Sequence, residues 1–287
     1  MLPENSEPEG MGNMRLVLRS ALSVVMFILA ASPPAAAGPV YPLETLSPSV
    51  YPPGVHRFRT GVLYNDGERL FFQPSDRSRR VFRLPEVDVV LGFSPNVEVL
   101  MSYPFLYLKQ EGQEGEYGSG DLRIGWIHRL GGEGRFLPET ALRFGVKLPN
   151  ATNVKEFGTN ETDFLAGGLF AKRAGPVTFL LNAEFAILGN PRTADPSQDD
   201  VLAYKVAAVY SFSPDSIAGL EVDGVEFSRF GNNRLFLRAG ISRAWRGVIL
   251  DAGAAVGLSQ ASGDFQLRAG VSFPFGVERK EMLPLCR

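Results

Sequence analysis

Acidic and basic side chains recur at alternate positions within apolar segments of this chain. The set is Asp88, Glu98, Arg123, Arg143, Lys147, Glu184, Lys205, Glu221, Asp223, Arg238, Asp251 and Arg268. Side chains on a strand alternate faces, so each charge shares a face with other polar residues and opposes an apolar one. If the strands close on themselves, these residues line a common interior. Mixed charges there either border a narrow aqueous route and set its selectivity, or pair and seal it. His128 offers a second chemistry. A serine–histidine hydrolase needs a base beside a nucleophile, but no serine falls at matching height on a flanking strand, so His128 reads as an interfacial residue. His56 stands at a strand start and reads as solvated. With Cys286 as the single cysteine, an intramolecular disulfide is impossible, and with two histidines a Cys- or multi-His metal site is excluded. No catalytic, metal or cofactor-binding residue is assigned.

The elements that must position these charges are strands. The stretch 119–150 reads as one hairpin: Leu122, Ile124, Trp126, His128 and Leu130 alternate with Asp121, Arg123, Gly125, Ile127 and Arg129, and after a glycine-rich turn Leu142, Phe144, Val146 and Leu148 alternate with Arg143, Gly145 and Lys147. The same period of two recurs over 56–65, 84–93, 96–109, 162–172, 177–187, 201–211, 217–226, 234–242, 248–258 and 265–275. Tight turns are expected at Ser94-Pro95, Gly131 to Gly134, Ala174-Gly175, Ser213 to Asp215 and Arg246-Gly247. Longer polar loops are expected at 66–80, 110–118, 149–161, 190–199, 228–233 and 259–263.

About twelve strands with short turns at one end and longer loops at the other is the plan of a bacterial outer-membrane protein. A soluble sheet would need a second layer over its apolar face, and the chain has no helix to supply one. Aromatics also gather near strand ends, as in an interfacial girdle: Phe93, Trp126, Phe170, Phe179, Tyr210 and Trp245 toward the short turns, Tyr64, Tyr103, Phe105, Tyr107, Phe164 and Phe185 toward the loops. A dry core would not tolerate the mid-strand charges unpaired. The expected fold class is all-β, a transmembrane antiparallel up-and-down β-barrel over residues 54–276.

The first residues read as a targeting segment. A basic stretch from Met14 to Arg19, an apolar run from Ala21 to Ala31 and small residues up to Ala37 have the layout of a secretory signal. Cleavage is expected after Ala37, and translation from Met14 would give a more ordinary signal. Residues 38–53 are proline-rich and read as an extended periplasmic linker, too short for a plug domain. Residues 277–287 form a short tail in which Cys286 reads as an incidental thiol. The first long loop carries Leu70, Phe71 and Phe72, and whether it folds inward as a constriction is not fixed by the sequence.

The pair of segments SGDLRIGWIHRL and LPETALRFGVKLPN resembles the outer-membrane transporter family named for the MetA pathway of phenol degradation. Its Gly-Asp-Leu falls on Gly120, Asp121 and Leu122, and its Lys-Leu-Pro on Lys147, Leu148 and Pro149. Where the family continues with Thr-Gly, this chain has Asn150-Ala151. The resemblance implies a membrane barrel and a small-molecule solute, hydrophobic or aromatic.

The reading of function is a passive outer-membrane channel with a charge-lined lumen. Its alternatives are a structural or surface-interaction barrel with a sealed lumen and, more weakly, an outer-membrane lipid hydrolase. Expected partners are outer-membrane lipid, the barrel assembly machinery and a small-molecule solute. A net charge of −2 gives no reason to expect nucleic acid, and no sequence motif calls for a cofactor.

Overall fold

The computed structural model describes residues 42–68, 79–110, 112–151, 157–189, 199–227 and 233–276. The signal segment, Leu70 to Phe72, and the tail with Cys286 lie outside the described residues. The strands are β1 (Val55–Glu68), β2 (Arg79–Ser94), β3 (Val97–Gln110), β4 (Glu116–Ser119), β5 (Leu122–Gly131), β6 (Glu139–Leu148), β7 (Asp163–Ala174), β8 (Val177–Leu188), β9 (Asp199–Ser213), β10 (Ser216–Phe227), β11 (Arg234–Trp245), β12 (Val248–Gly257) and β13 (Phe265–Gly276).

Every pairing is antiparallel, and the sheet closes because β1 pairs with both β2 and β13. β4 and β5 both pair with β3, at successive heights, so they form one interrupted strand and the barrel has twelve strands. The break is at Gly120-Asp121, where the Gly120 amide donates to the carbonyl of Pro104 at 2.8 Å. Closure removes the open edges that a membrane would leave unsatisfied.

The alternation has the consequence expected of it. The outer face carries exposed Leu142, Phe164, Phe185, Leu202, Val206, Leu220, Leu237, Ile241, Leu250 and Leu267. A continuous apolar outer belt, with no second layer over it among the described residues, suits contact with lipid.

Four local expectations need correction. β2 begins at Arg79, well before the expected Leu84, because a bulge between Arg83 and Glu86 carries the pairing past Pro85. Proline has no amide to donate and is tolerated at such irregularities. Part of the expected loop 110–118 is strand β4. The expected tight turn at Gly131 to Gly134 is a longer connection, from Gly132 to Pro138. The ammonium of Lys172 holds it, donating to the carbonyls of Gly134 at 2.6 Å and Arg135 at 3.2 Å. His56 is not simply solvated either: its ring lies 5.3 Å from that of Phe275 on the paired strand.

The largest departure is at the start of the described chain. Residues 42–53, expected as a linker outside the barrel, lie within it. Leu43, Thr45 and Tyr51 are buried against the inner wall.

Candidate functional site

The inner wall is built from the inward residues of each strand. Between charged rows it holds small or aliphatic ones: Val90 on β2, Ile127 on β5, Leu169 on β7, Leu180 on β8 and Val209 on β9 are all buried. The expected charged residues share this face, and most are brought together in pairs. On β11 and β10, Arg238 donates to Glu221 at 3.0 Å and lies 3.7 Å from Asp223. Arg143 on β6 pairs with Glu184 on β8 across β7. Lys147 lies 2.7 Å from Asp163 and 3.6 Å from Asp121. Asp251 and Asp88 share Arg59, at 2.8 and 3.2 Å. Arg123 has no carboxylate within ion-pair distance among the described residues.

Several participants were not singled out from the sequence. Arg57 and Arg59 are on the polar face of the first strand, and Glu86, Asp163, Glu139 and Asn182 occupy inward positions that alternation alone would reach. Glu44 was not accessible to that reasoning, because it lies outside any strand. It accepts from Arg268 at 2.5 Å, and its carbonyl accepts from Lys205 at 3.4 Å.

Residues 42–51 cross the lumen on a series of side-chain contacts. Glu221 accepts from the Thr45 amide at 2.6 Å and from its hydroxyl at 2.5 Å. Asn182 binds Leu46 twice, accepting from its amide at 2.7 Å and donating to its carbonyl at 2.9 Å. Ser49 donates to Glu139 at 2.7 Å, and the Tyr51 amide to Glu98 at 2.9 Å. The wall thus does for this segment what a neighbouring strand would do, satisfying its backbone. Bonds to carboxylates contribute about 1.5–3 kcal/mol each.

Apolar anchors fix the same segment. Leu43 packs with Ala171, Leu180, Ala207, Val209 and Ile217. Leu46 and Val50 rest on the cluster of Ile127, Ala141 and Leu169. The backbone can approach so closely because inward glycines receive it. A Cβ on Gly240 would stand 2.4 Å from the carbonyl oxygen of Pro42, and one on Gly92 2.2 Å from that of Pro52. Gly219, Gly240 and Gly253 are register neighbours on β10, β11 and β12, forming a shallow groove in the wall.

Between the segment and the wall lies a cavity of about 410 Å³, bordered by Arg123, Arg57, Lys205, Leu100, Leu165 and Leu188 among others. On the opposite side of the sheet, His128 is exposed and its register partners are the apolar Val97 and Leu142. Neither register partner is a serine or a carboxylate, so the pair that a histidine-based hydrolase needs is not formed at these positions.

The closed twelve-stranded sheet, its apolar belt and its ion-paired interior define a transmembrane β-barrel of the outer-membrane type. No protein-family model and no curated protein sequence matches the chain. Solved structures do. The COG4313 outer membrane channel from Pseudomonas putida F1 superposes with a TM-score of 0.65 at 11% identity, covering 81% of this chain and 100% of that one. The translocator domain of the autotransporter NalP from Neisseria meningitidis superposes with a TM-score of 0.51 at 11% identity, covering 78% and 90%. The fold implied by the resemblance in the β5–β6 sequence is therefore the fold observed.

Proposed function

We propose that this protein is a passive outer-membrane channel for small molecules, with residues 42–51 narrowing the route. The observation that carries this reading is the way the lumen is crossed. The segment is held by individual side chains of the wall, not by strand pairing, and a cavity remains beside it. A barrel meant only as a scaffold gains nothing from a polar interior built around a separable segment. Transport is diffusive, since solute needs only a wetted path along paired charges. The resemblance of the β5–β6 hairpin favours small hydrophobic or aromatic solutes. The short-turn end, where β1 begins and β13 ends, faces the periplasm, and the apolar belt takes outer-membrane lipid after insertion by the barrel assembly machinery.

The test is reconstitution of the full chain in planar bilayers and in liposomes loaded for solute uptake. The expected result is small conductance and measurable uptake for the native chain, with both raised in a Glu221→Gln, Asn182→Ala variant that loosens the segment. Neither conductance nor uptake from either protein would favour the sealed-lumen alternative and overturn the channel.

A further inference from the structure

We propose that the lumen cavity is a binding site for a small amphiphilic carboxylate, an anionic head on a compact apolar or aromatic body, with Arg123 receiving the head. The inference names the solute class of the proposed channel, and rests on that reading for its place in transport. The site itself stands on charge and shape.

Cationic side chains outnumber carboxylates around the cavity, eight to five. Five of the eight cations are already matched: Arg59, Arg83, Arg143, Lys147 and Arg268 each have a carboxylate partner. Arg123 has none within ion-pair distance among the described residues, and it is exposed to the lumen. Arg83 on β2 lines the same cavity, and its carboxylate partner, Glu86, is 3.7 Å from it and shared with Arg59. Ser102 is the register partner of Arg123 on β3 and offers a hydroxyl on the same face. Buried donors are also left over: the Nε–H groups of Arg57, Arg143 and Arg268 have no acceptor among the described residues. The carboxylate among the lining residues that lacks a cation, Glu98, is turned to the Tyr51 amide. A guanidinium without a carboxylate at ion-pair distance, beside unused donors, favours an acceptor-rich anion.

The remainder of the lining selects the body of the ligand. Leu100, Leu165 and Leu188 face the same cavity, and Leu165 lies over Gly145, whose missing Cβ leaves it room. A hydrated inorganic anion would gain nothing from these side chains. A planar carboxylate can accept two parallel N–H bonds from one guanidinium while its apolar part covers the leucines. A cavity of about 410 Å³ is within the range that encloses a small organic molecule.

The experiment measures equilibrium binding to the folded full chain in detergent, using benzoate, its neutral isostere benzamide, and sulfate. Benzoate is expected to bind at least about tenfold more tightly than benzamide, with affinity falling as salt is raised. Arg123→Gln should weaken benzoate about tenfold and leave benzamide unchanged, while Arg123→Lys, which keeps the charge and loses the two-pronged fork, weakens benzoate less than Arg123→Gln. Equal affinity for benzoate and benzamide, or indifference of benzoate to Arg123→Gln, would overturn the site. Sulfate binding as tightly as benzoate would overturn the amphiphilic assignment. Folding of each variant is read from its heat-modifiable gel mobility; should Arg123→Gln not fold, the benzoate-to-benzamide ratio of the native chain and of Arg123→Lys decides. Arabinose-driven swelling of proteoliposomes separates the two readings. Benzoate binding without swelling removes the channel and keeps the site, and swelling without benzoate binding does the reverse.

Discussion

Arg59 and Asp251 meet across an intervening strand. One is on β1 and the other on β12, yet Nη2 of Arg59 lies 2.8 Å from Oδ1 of Asp251 and Nε lies 3.2 Å from Oδ2. The guanidinium reaches over β13 at Gly270, where a Cβ would stand 2.5 Å from Arg59 Nη2. The same arginine reaches back to Asp88 and Glu86 on β2. One side chain thereby ties the first strands to the last, where the barrel closes.

Removing one partner of a buried ion pair is costly because the other is left uncompensated. Arg59→Met is expected to lower unfolding free energy by on the order of 3 kcal/mol, read by urea unfolding in lipid vesicles. Gly270→Val should destabilise similarly by displacing the guanidinium while leaving both charges in place. A loss under about 0.5 kcal/mol in both variants would mean the seam is held elsewhere.

The connection from Gly132 to Pro138 supplies a pH-dependent contact. Glu133 accepts from the backbone amide of Arg173 at 3.0 Å and lies 3.0 Å from Lys172. That amide, and the neighbouring ammonium after it, hold the Glu133 carboxyl below the usual carboxylate range. A depressed folded pKa contributes stability above the unfolded value, about 4.3 for Glu, and that contribution is lost as pH falls through the folded value. Hydrogen exchange in residues 132–138, corrected for intrinsic rate, should therefore rise as pH is lowered below about 4. Glu133→Gln should flatten that response; an unchanged acid response would assign it to another group.

His128 is the titratable side chain that chemistry would have chosen from the sequence, and its surroundings make it inert. Exposed on the outer face between Val97 and Leu142, it joins no polar network among the described residues. His128→Phe is expected to change unfolding free energy by no more than about 0.5 kcal/mol and to leave solute uptake unaltered. A drop beyond about 2 kcal/mol, or lipase activity that disappears with the imidazole, would contradict the lipid-facing placement.

Strand positions were legible in the sequence because every strand reports its two environments at each step. Val177 to Leu188 alternates without a break, and its observed bounds match the expected ones to a residue. The β2 start was not legible, since Leu84-Pro85 interrupts the period where the bulge absorbs it. The charged rows were legible as a set, but their pairing was not: Arg143 and Glu184 sit on strands that are not adjacent. The lumen segment was missed for a physical reason. Its polar groups bind side chains of many strands, so it has no period of its own, and proline content alone suggests a linker. A signal did exist. Leu43, Leu46, Val50 and Tyr51 are too apolar for a solvated linker, and the inward glycines Gly92, Gly219, Gly240 and Gly253 mark where another backbone comes close.

Those glycines allow the segment to be displaced without touching the charges that bind it. Gly240 is in a regular part of β11, paired with Gly219 and Gly253, and its φ is not in the region reserved for glycine. A side chain there is compatible with the strand and incompatible with Pro42, whose carbonyl oxygen would be 2.4 Å from the new Cβ. Gly240→Leu should therefore leave the barrel folded and push residues 42–44 off the wall. The Leu43 anchor would leave its cluster with Leu180 and Val209, and the Glu44 contact with Arg268 would be lost. Single-channel conductance in planar bilayers is expected to rise severalfold relative to the native chain, and protease to gain access to residues 42–51. Gly253→Ala, where a Cβ would be 3.3 Å from the same oxygen, should give a smaller change in the same direction. A folded Gly240→Leu barrel with native conductance and a protected segment would show that the segment does not control the route.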